Sequence, residues 1–335
     1  MIDRCLRNKY IKYGFLLVLV IIAPLVISSN YTRHLLVTTF IFAIFALSYD
    51  LIIGGMGQLS LGHQAFFGLG AYIASLLSVR LQLPAWFCLP AAVAGAGILG
   101  LLIGYISLRT RGAYLAIVML GFAMILWMIA MGWRDLTYGN RGVRGISPIS
   151  ISIPFLIEIK FDSPLSYYYI ALALLLFVTY FINRLKQSRF GRAVAGIREN
   201  EDRAVLLGIN SFGHLLAMFT LAAMIAGLSG FAYAHYIAFV DPKVLSVYYM
   251  SMGLVMVIVG GSNTLLGPIF GAFAFCFIPE WLRIAEDVRM IFFGIILLAF
   301  IILMPEGIYP KIITFWHRIF PSRILNKYLK NEGPL

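Results

Sequence analysis

Charge is scarce in this sequence. Only 12% of its 335 residues are Asp, Glu, Lys or Arg, against 61% hydrophobic residues and a mean hydropathy of +0.91. Soluble domains carry roughly 25% charged residues and about 45–50% apolar ones. A water-soluble fold of this composition would expose apolar patches large enough to aggregate. The solvent for most of this surface is therefore lipid. Cysteine is scarce too: Cys5, Cys88 and Cys276 are scattered and form no C-x-x-C pair. That spacing offers neither a disulfide framework nor a thiolate metal site, and packing is the expected role of all three.

Enzymatic signatures are missing. No G-x-x-x-x-G-K occurs, so the chain is not expected to bind ATP in a P-loop, and no H-E-x-x-H occurs. The five histidines, His34, His63, His214, His235 and His317, share no ligand spacing. No catalytic residue, metal or cofactor is expected. Acids are outnumbered, 14 against 26 Lys and Arg, for a net charge of +12. The basic residues sit in loops beside apolar runs, which is the pattern of anionic lipid and the positive-inside rule. The lipid bilayer, not nucleic acid, is the partner this charge implies.

Apolar runs fill the chain. A spanning helix needs about 20 mostly apolar residues. Candidate spans are Tyr13–Ser28, Leu35–Ile53, His63–Val79, Pro84–Ile106, Ala113–Trp133, Leu165–Asn183, His214–Ile237, Tyr248–Ser262, Thr264–Glu280 and Met290–Met304. The last three are short, and the eighth and ninth barely separated, as in a re-entrant pair or broken helices. The expectation is an all-α integral membrane protein of about 8–10 transmembrane helices, one domain over residues 1–335. With the N-terminus cytoplasmic, 17 of the 26 Lys and Arg fall in inner segments and 9 in outer ones, the bias of that orientation. The C-terminus is then cytoplasmic as well, with a basic tail over 305–335. A cleaved signal peptide is the competing reading of the N-terminus; without a clear A-x-A site, an uncleaved first span is favoured.

Two loops stand out by length. The outer one, 134–164, alternates Ile and Ser around Ile149, Ile151 and Ile153, as a short strand or hairpin does. The inner one, 184–213, carries Phe190, Val194 and Ile197 at helical spacing, with Arg189, Arg192 and Arg198 facing elsewhere. Asn200 suits the cap of a second short helix, Glu201 and Asp202 suit its positive end, and Gly208 suits its stop. Glu199 precedes Arg203 by four residues, a helical ion pair if the turns are continuous. Two short amphipathic helices are expected there, against the plainer reading of a membrane-hugging loop.

Polar residues within the spans are few. Asp50 is an acid inside an apolar run, where a charge at mid-membrane costs about 2.5–3.5 kcal/mol on insertion scales. It lies near one end of its span, so anchoring and transport are both open readings. Glycines cluster in GGMGQLSLGHQAFFGLGAY, residues 54–72, and in GGSNTLLGPIFGA, residues 260–272. They suit close helix packing or a break in a helix, and a break at membrane depth needs protein or a water-filled cavity around it. Gly57, Gln58, Ser60, Gly62, His63 and Phe66, with Asp50, are the candidate pathway residues.

GQLSLGHQAFFGLGAY, residues 57–72, resembles the signature of branched-chain amino-acid ABC transporter permeases of the LivM type. LRTRGAYLAIVMLGF (108–122), LTYGNRGVRGI (136–146) and SRFGRAVAGIRENEDRAVLLGIN (188–210) are similar to that family's next inner loop and span, outer segment and coupling loop. The resemblance implies a ten-span fold similar to importers of the vitamin B12 type, in the cytoplasmic (inner) membrane. It implies half of an ATP-driven import pathway for branched-chain amino acids or a related small solute. The implied partners are a homologous second permease, two ABC ATPase subunits and an extracytoplasmic solute-binding protein. Gly191, Arg192, Ile197, Arg198, Glu199, Asn200, Glu201, Ala204 and Gly208 become the ATPase-coupling candidates. The rival readings are an ion-coupled secondary transporter acting alone, a urea or short-amide permease of the same family, and a structural membrane subunit.

Overall fold

The computed structural model describes residues 29–110, 112–153, 157–160 and 163–281, together with 24, 294, 298 and 307–311. Its helices are α1 (Asn30–Asp50, continued by a π turn over Leu51–Gly55), α2 (Gln64–Arg80), α3 (Ala85–Ser107) and α4 (Ala113–Gly132). Then follow α5 (Pro164–Gln187), α6 (Arg189–Glu199), α7 (Glu201–Leu206), α8 (Ser211–Ile237), α9 (Val247–Gly260) and α10 (Gly267–Trp281). Eight of the ten expected spans fall on described residues, and each coincides with one of these helices. The expected spans Tyr13–Ser28 and Met290–Met304, and the basic tail apart from Gly307–Lys311, lie outside the described residues.

Helix starts follow capping chemistry. Ser29 accepts from the Thr32 amide at 3.5 Å, and Ser163 accepts from the Ser166 amide at 3.1 Å with Pro164 in the first turn. Among the described residues, five helices are long and apolar enough to cross a membrane: α1 with its π turn, α3, α4, α5 and α8. The chain is thus an all-α membrane protein. Helix α9 has 14 residues, about 21 Å at 1.5 Å per residue, which falls short of a hydrocarbon core of about 30 Å. It is a partial span, in keeping with the short eighth segment of the sequence.

Helix α1 is the centre of the packing. From Thr39 to Ile52 every side chain is buried, which is why the run is apolar all round and has no polar face. Around it lie α5, α8, α9 and α10, and Phe67 of α2 reaches the rings of Phe42 and Phe45. Small residues let the helices touch: a side chain at Gly70 would strike the Gly227 backbone, and one at Gly100 would strike Ala223. Helix α4 is peripheral, and Tyr114, Ile117, Ile125 and Met128 form an exposed stripe along it.

The outer loop carries a helical turn at Arg134–Thr137 and two small antiparallel pairs. Strand β1 (Val143–Arg144) pairs with β4 (Phe239–Val240), with Val143 opposite Val240. Strand β2 (Ser150–Ile153) pairs with β3 (Ile157–Lys160), with Ser150 opposite Lys160, a hairpin where the Ile/Ser alternation placed one. After β4 a 3₁₀ turn, Pro242–Leu245, buries Pro242, Val244 and Leu245, and Leu245 lies against Gly68 of α2. The inner loop forms the two short helices expected, α6 and α7. Asn200 is extended (φ −159°, ψ 104°), so the helical turns are not continuous and Glu199 and Arg203 do not take the i, i+4 relation.

Candidate functional site: a braced helix pair beneath a polar break

Helix α6 starts where Ser188 caps it, accepting from the Gly191 amide at 3.0 Å. Gly191 packs directly on the Leu185 carbonyl, so the chain turns sharply out of α5 with no room for a side chain. Gly191, Val194 and Ile197, three residues apart, are buried, and Arg189, Arg192, Arg198 and Glu199 are exposed. Arg192 donates to the Gln187 carbonyl at 2.6 Å, tying the exposed face back to α5. Phe190 stacks on His214 of α8, with ring centroids 5.5 Å apart.

Asn200 then caps α7, its Oδ1 accepting from the Arg203 amide at 2.9 Å, and Glu201 and Asp202 occupy the first turn. Glu201 accepts from the Ser211 hydroxyl at 2.6 Å, which fastens α7 to the start of α8. Ala204 is buried beneath, and Gly208 ends the element at φ +81°. Every coupling candidate therefore belongs to one compact two-helix element braced on α5 and α8. The candidate set omitted its most exposed apolar residues, Leu206 (86% exposed) and Leu207 (82%). The run VLLG just after charged residues carried that signal in the sequence.

The glycine-rich stretch forms a break between α1 and α2. The π turn widens the end of α1, a feature frequent at functional sites. Gly57 has φ +69°, and a side chain there would meet Arg198 Cγ at 2.9 Å, so the break rests on α6. Tyr49 donates from its hydroxyl to the Ser60 carbonyl. Ser48 Oγ donates to the Phe45 carbonyl at 2.6 Å and lies 2.9 Å from His63 Nε2, so Nε2 carries the proton and Nδ1 is a bare acceptor. The His63 ring is enclosed by Phe45, Tyr49 and Phe66 at centroid distances of 5.9, 4.9 and 5.6 Å.

Ser60, Gly62, His63 and Phe66 are all buried, Gln58 is half-buried and Gly57 is exposed. Gly62 lies against the Met119 carbonyl of α4. Ser60 Oγ, His63 Nδ1 and both polar atoms of Gln64 are buried without a hydrogen-bond partner. Buried polar atoms are paired in the great majority of cases, so this group of unfilled donors and acceptors marks the break as unusual. Gln64, the first residue of α2 and next to His63, was not among the sequence candidates, although a polar amide at the head of an apolar run was the available signal.

Asp50 is 1% exposed at the end of α1. Its Oδ2 accepts from Lys186 Nζ of α5 at 3.1 Å, and its Oδ1 accepts from the Asn263 amide at 2.7 Å, in the turn between α9 and α10. Gly54 is wedged between that carboxylate and the Asn263 backbone. Among the described residues, no group of three His, Cys, Asp or Glu side chains is placed to hold a metal.

Comparison with known proteins gives a consistent picture. The model of the family described as branched-chain amino acid transport system / permease component matches residues 31–301. The chain is 30% identical over 313 residues to the high-affinity branched-chain amino acid transport system permease protein LivM of Escherichia coli K12, covering 88% of this chain and 73% of that protein. It is 29% identical to the Salmonella typhimurium LivM over 317 residues, covering 88% of this chain and 74% of the relative. It is 23% identical to the permease protein LivH of Escherichia coli K12 over 285 residues, covering 80% and 90% respectively. No solved structure matches the chain.

Proposed function

Because the chain belongs to the branched-chain amino acid transport system permease family, we propose that it is the permease subunit of an ATP-binding cassette importer for branched-chain amino acids. It forms half of the translocation pathway as a single permease domain in the cytoplasmic membrane. A homologous second permease supplies the other half, two ATPase subunits bind beneath, and an extracytoplasmic binding protein delivers the solute. The excess of Lys and Arg in the inner segments supports cytoplasmic termini.

One observation carries this reading beyond the family match: α6 and α7 form an element braced on α5 and α8, with an exposed face, on a bundle otherwise poor in charge. Such an element transmits force as a body. Gly191, Arg192, Ile197, Arg198, Glu199, Asn200, Glu201, Ala204 and Gly208 are its parts, the buried ones bracing it and the exposed ones meeting the ATPase. Gly57, Gln58, Ser60, Gly62, His63 and Phe66 belong to the passage and its gate. The unfilled polar atoms of Ser60 and His63 support that role, since water reaching them in an open passage would satisfy them. The ion-driven alternative draws on Asp50, which already holds a cation in Lys186.

The test is uptake of labelled leucine into vesicles holding the purified permeases and ATPases, with binding protein outside the substrate-entry face. ATP-dependent uptake, indifferent to ionophores and competed by isoleucine and valine but not by urea, is the expected result. Uptake by this chain alone under an ion gradient, lost in Asp50→Asn, would overturn it.

A further inference from the structure

We infer that Asp50 is a positioning residue: its carboxylate clasps Lys186 and the Asn263 amide so that α6 and the break after α1 move together. The inference rests on the importer reading above and assigns the mechanical link within it.

The clasp joins three elements that are remote in sequence. Lys186 precedes Ser188, the cap of α6, by two residues, so any displacement of α6 is felt at its ammonium group. Asp50 immediately precedes the π turn, so its carboxylate anchors the first residue of the break. The Asn263 amide brings in the turn between α9 and α10, and Gly54 fills the space between them so closely that no side chain fits. A second contact lies further along the same pair of segments, where Arg198 near the end of α6 lies over Gly57. The break is thus held at two points, by charge at Asp50 to the last turn of α5 that leads into α6, and by packing at Gly57 to α6 itself.

Stability alone is a poor reason for this arrangement. Drawing a carboxylate out of water is costly, and an apolar replacement of a buried ion pair is often neutral or stabilising. A directional, charge-assisted link does what an apolar contact does not: it fixes the separation of two groups on different helices while those helices move. Asp50 is 2% exposed at its side chain and Lys186 25%, so the link is shielded on one side and reachable from α6 on the other.

The experiment uses the full complex in vesicles and reads leucine imported per ATP hydrolysed. Asp50→Asn and Lys186→Gln are each expected to lower that ratio by about tenfold, in the range of coupling between linked sites. Lys186→Arg, which keeps the charge and can still donate to Asp50 Oδ2 while leaving the Asn263 amide bond intact, is expected to retain most of it. An unchanged ratio in either assembled single variant overturns the clasp, and this includes a fall of uptake and hydrolysis in strict proportion. Should Asp50→Asn fail to assemble, Lys186→Gln decides alone, its side chain being a quarter exposed. A wild-type complex without ATP-driven uptake instead sinks the importer reading and the clasp with it.

Discussion

Leu206 and Leu207 give the sharpest test of docking through α7. Both project almost fully into solvent, at 86% and 82% exposure, at the tip of an element that buries Val194, Ile197 and Ala204. Replacing each by Ala removes three carbons, at about 0.8 kcal/mol per buried CH₂. Scaled by the surface still available for burial, that is about 2 kcal/mol per leucine and about 4 kcal/mol for the pair. At 1.4 kcal/mol per factor of ten, the double variant weakens ATPase binding by up to about a thousandfold. Exposed positions contribute little to the fold, so the unfolding free energy should shift by less than about 0.5 kcal/mol. The assay is the dissociation constant between detergent-solubilised permease and purified ATPase, with thermal unfolding as the control. A constant within about threefold of wild type, in a normally folded variant, would refute docking through this tip.

The remaining predictions concern the break and the α6–α7 joint. Gln64→Leu replaces an unpaired buried amide by an apolar group of similar size, so the unfolding free energy should rise by about 1–3 kcal/mol while leucine uptake falls; a lowered unfolding midpoint would mean that the amide is satisfied where it lies. Gly62→Val drives a branched side chain into the Met119 carbonyl and should cost about 1–3 kcal/mol, read as a lower unfolding midpoint in detergent. Asn200→Ala removes the cap of α7 at about 1 kcal/mol, so amide exchange over Glu201–Leu206 should quicken about fivefold while α8 exchanges as before.

The spans were legible because lipid demands long apolar runs and the chain confines its charges to the joints between them. The inner helix pair was legible for a different reason: Val194 and Ile197 repeat at helical spacing, and Asn200 and Gly208 are residues that begin and end helices. Both signals are local. Asp50 was visible as an acid in an apolar run, but its partners lie 136 and 213 residues away, and nothing in the run names them. The buried turn at Pro242–Leu245 was hidden for the opposite reason. Asp241, Pro242 and Lys243 read as an exposed loop, yet β4 pairs with β1 and carries the following Val244 and Leu245 in against α2. Tertiary pairing there overrides composition.

The break is also the place where the most and least buried long helices meet. Helix α1, enclosed on all sides, offers no freedom along most of its length, so adjustment concentrates at its end, where the π turn and Gly57 loosen the backbone. Among the described residues helix α4 has few neighbours, and its stripe of Tyr114, Ile117, Ile125 and Met128 is exposed. Gly62 joins the two by lying against Met119. On the proposed clasp, displacement of α6 would reach the break through Lys186 and Arg198, and would pass from the break through Gly62 to the least buried of the long described helices. The order of these contacts follows from one ion pair and from packing, and it runs from the exposed leucines of α7 to the outer surface of α4 by way of the end of α1 rather than its enclosed middle.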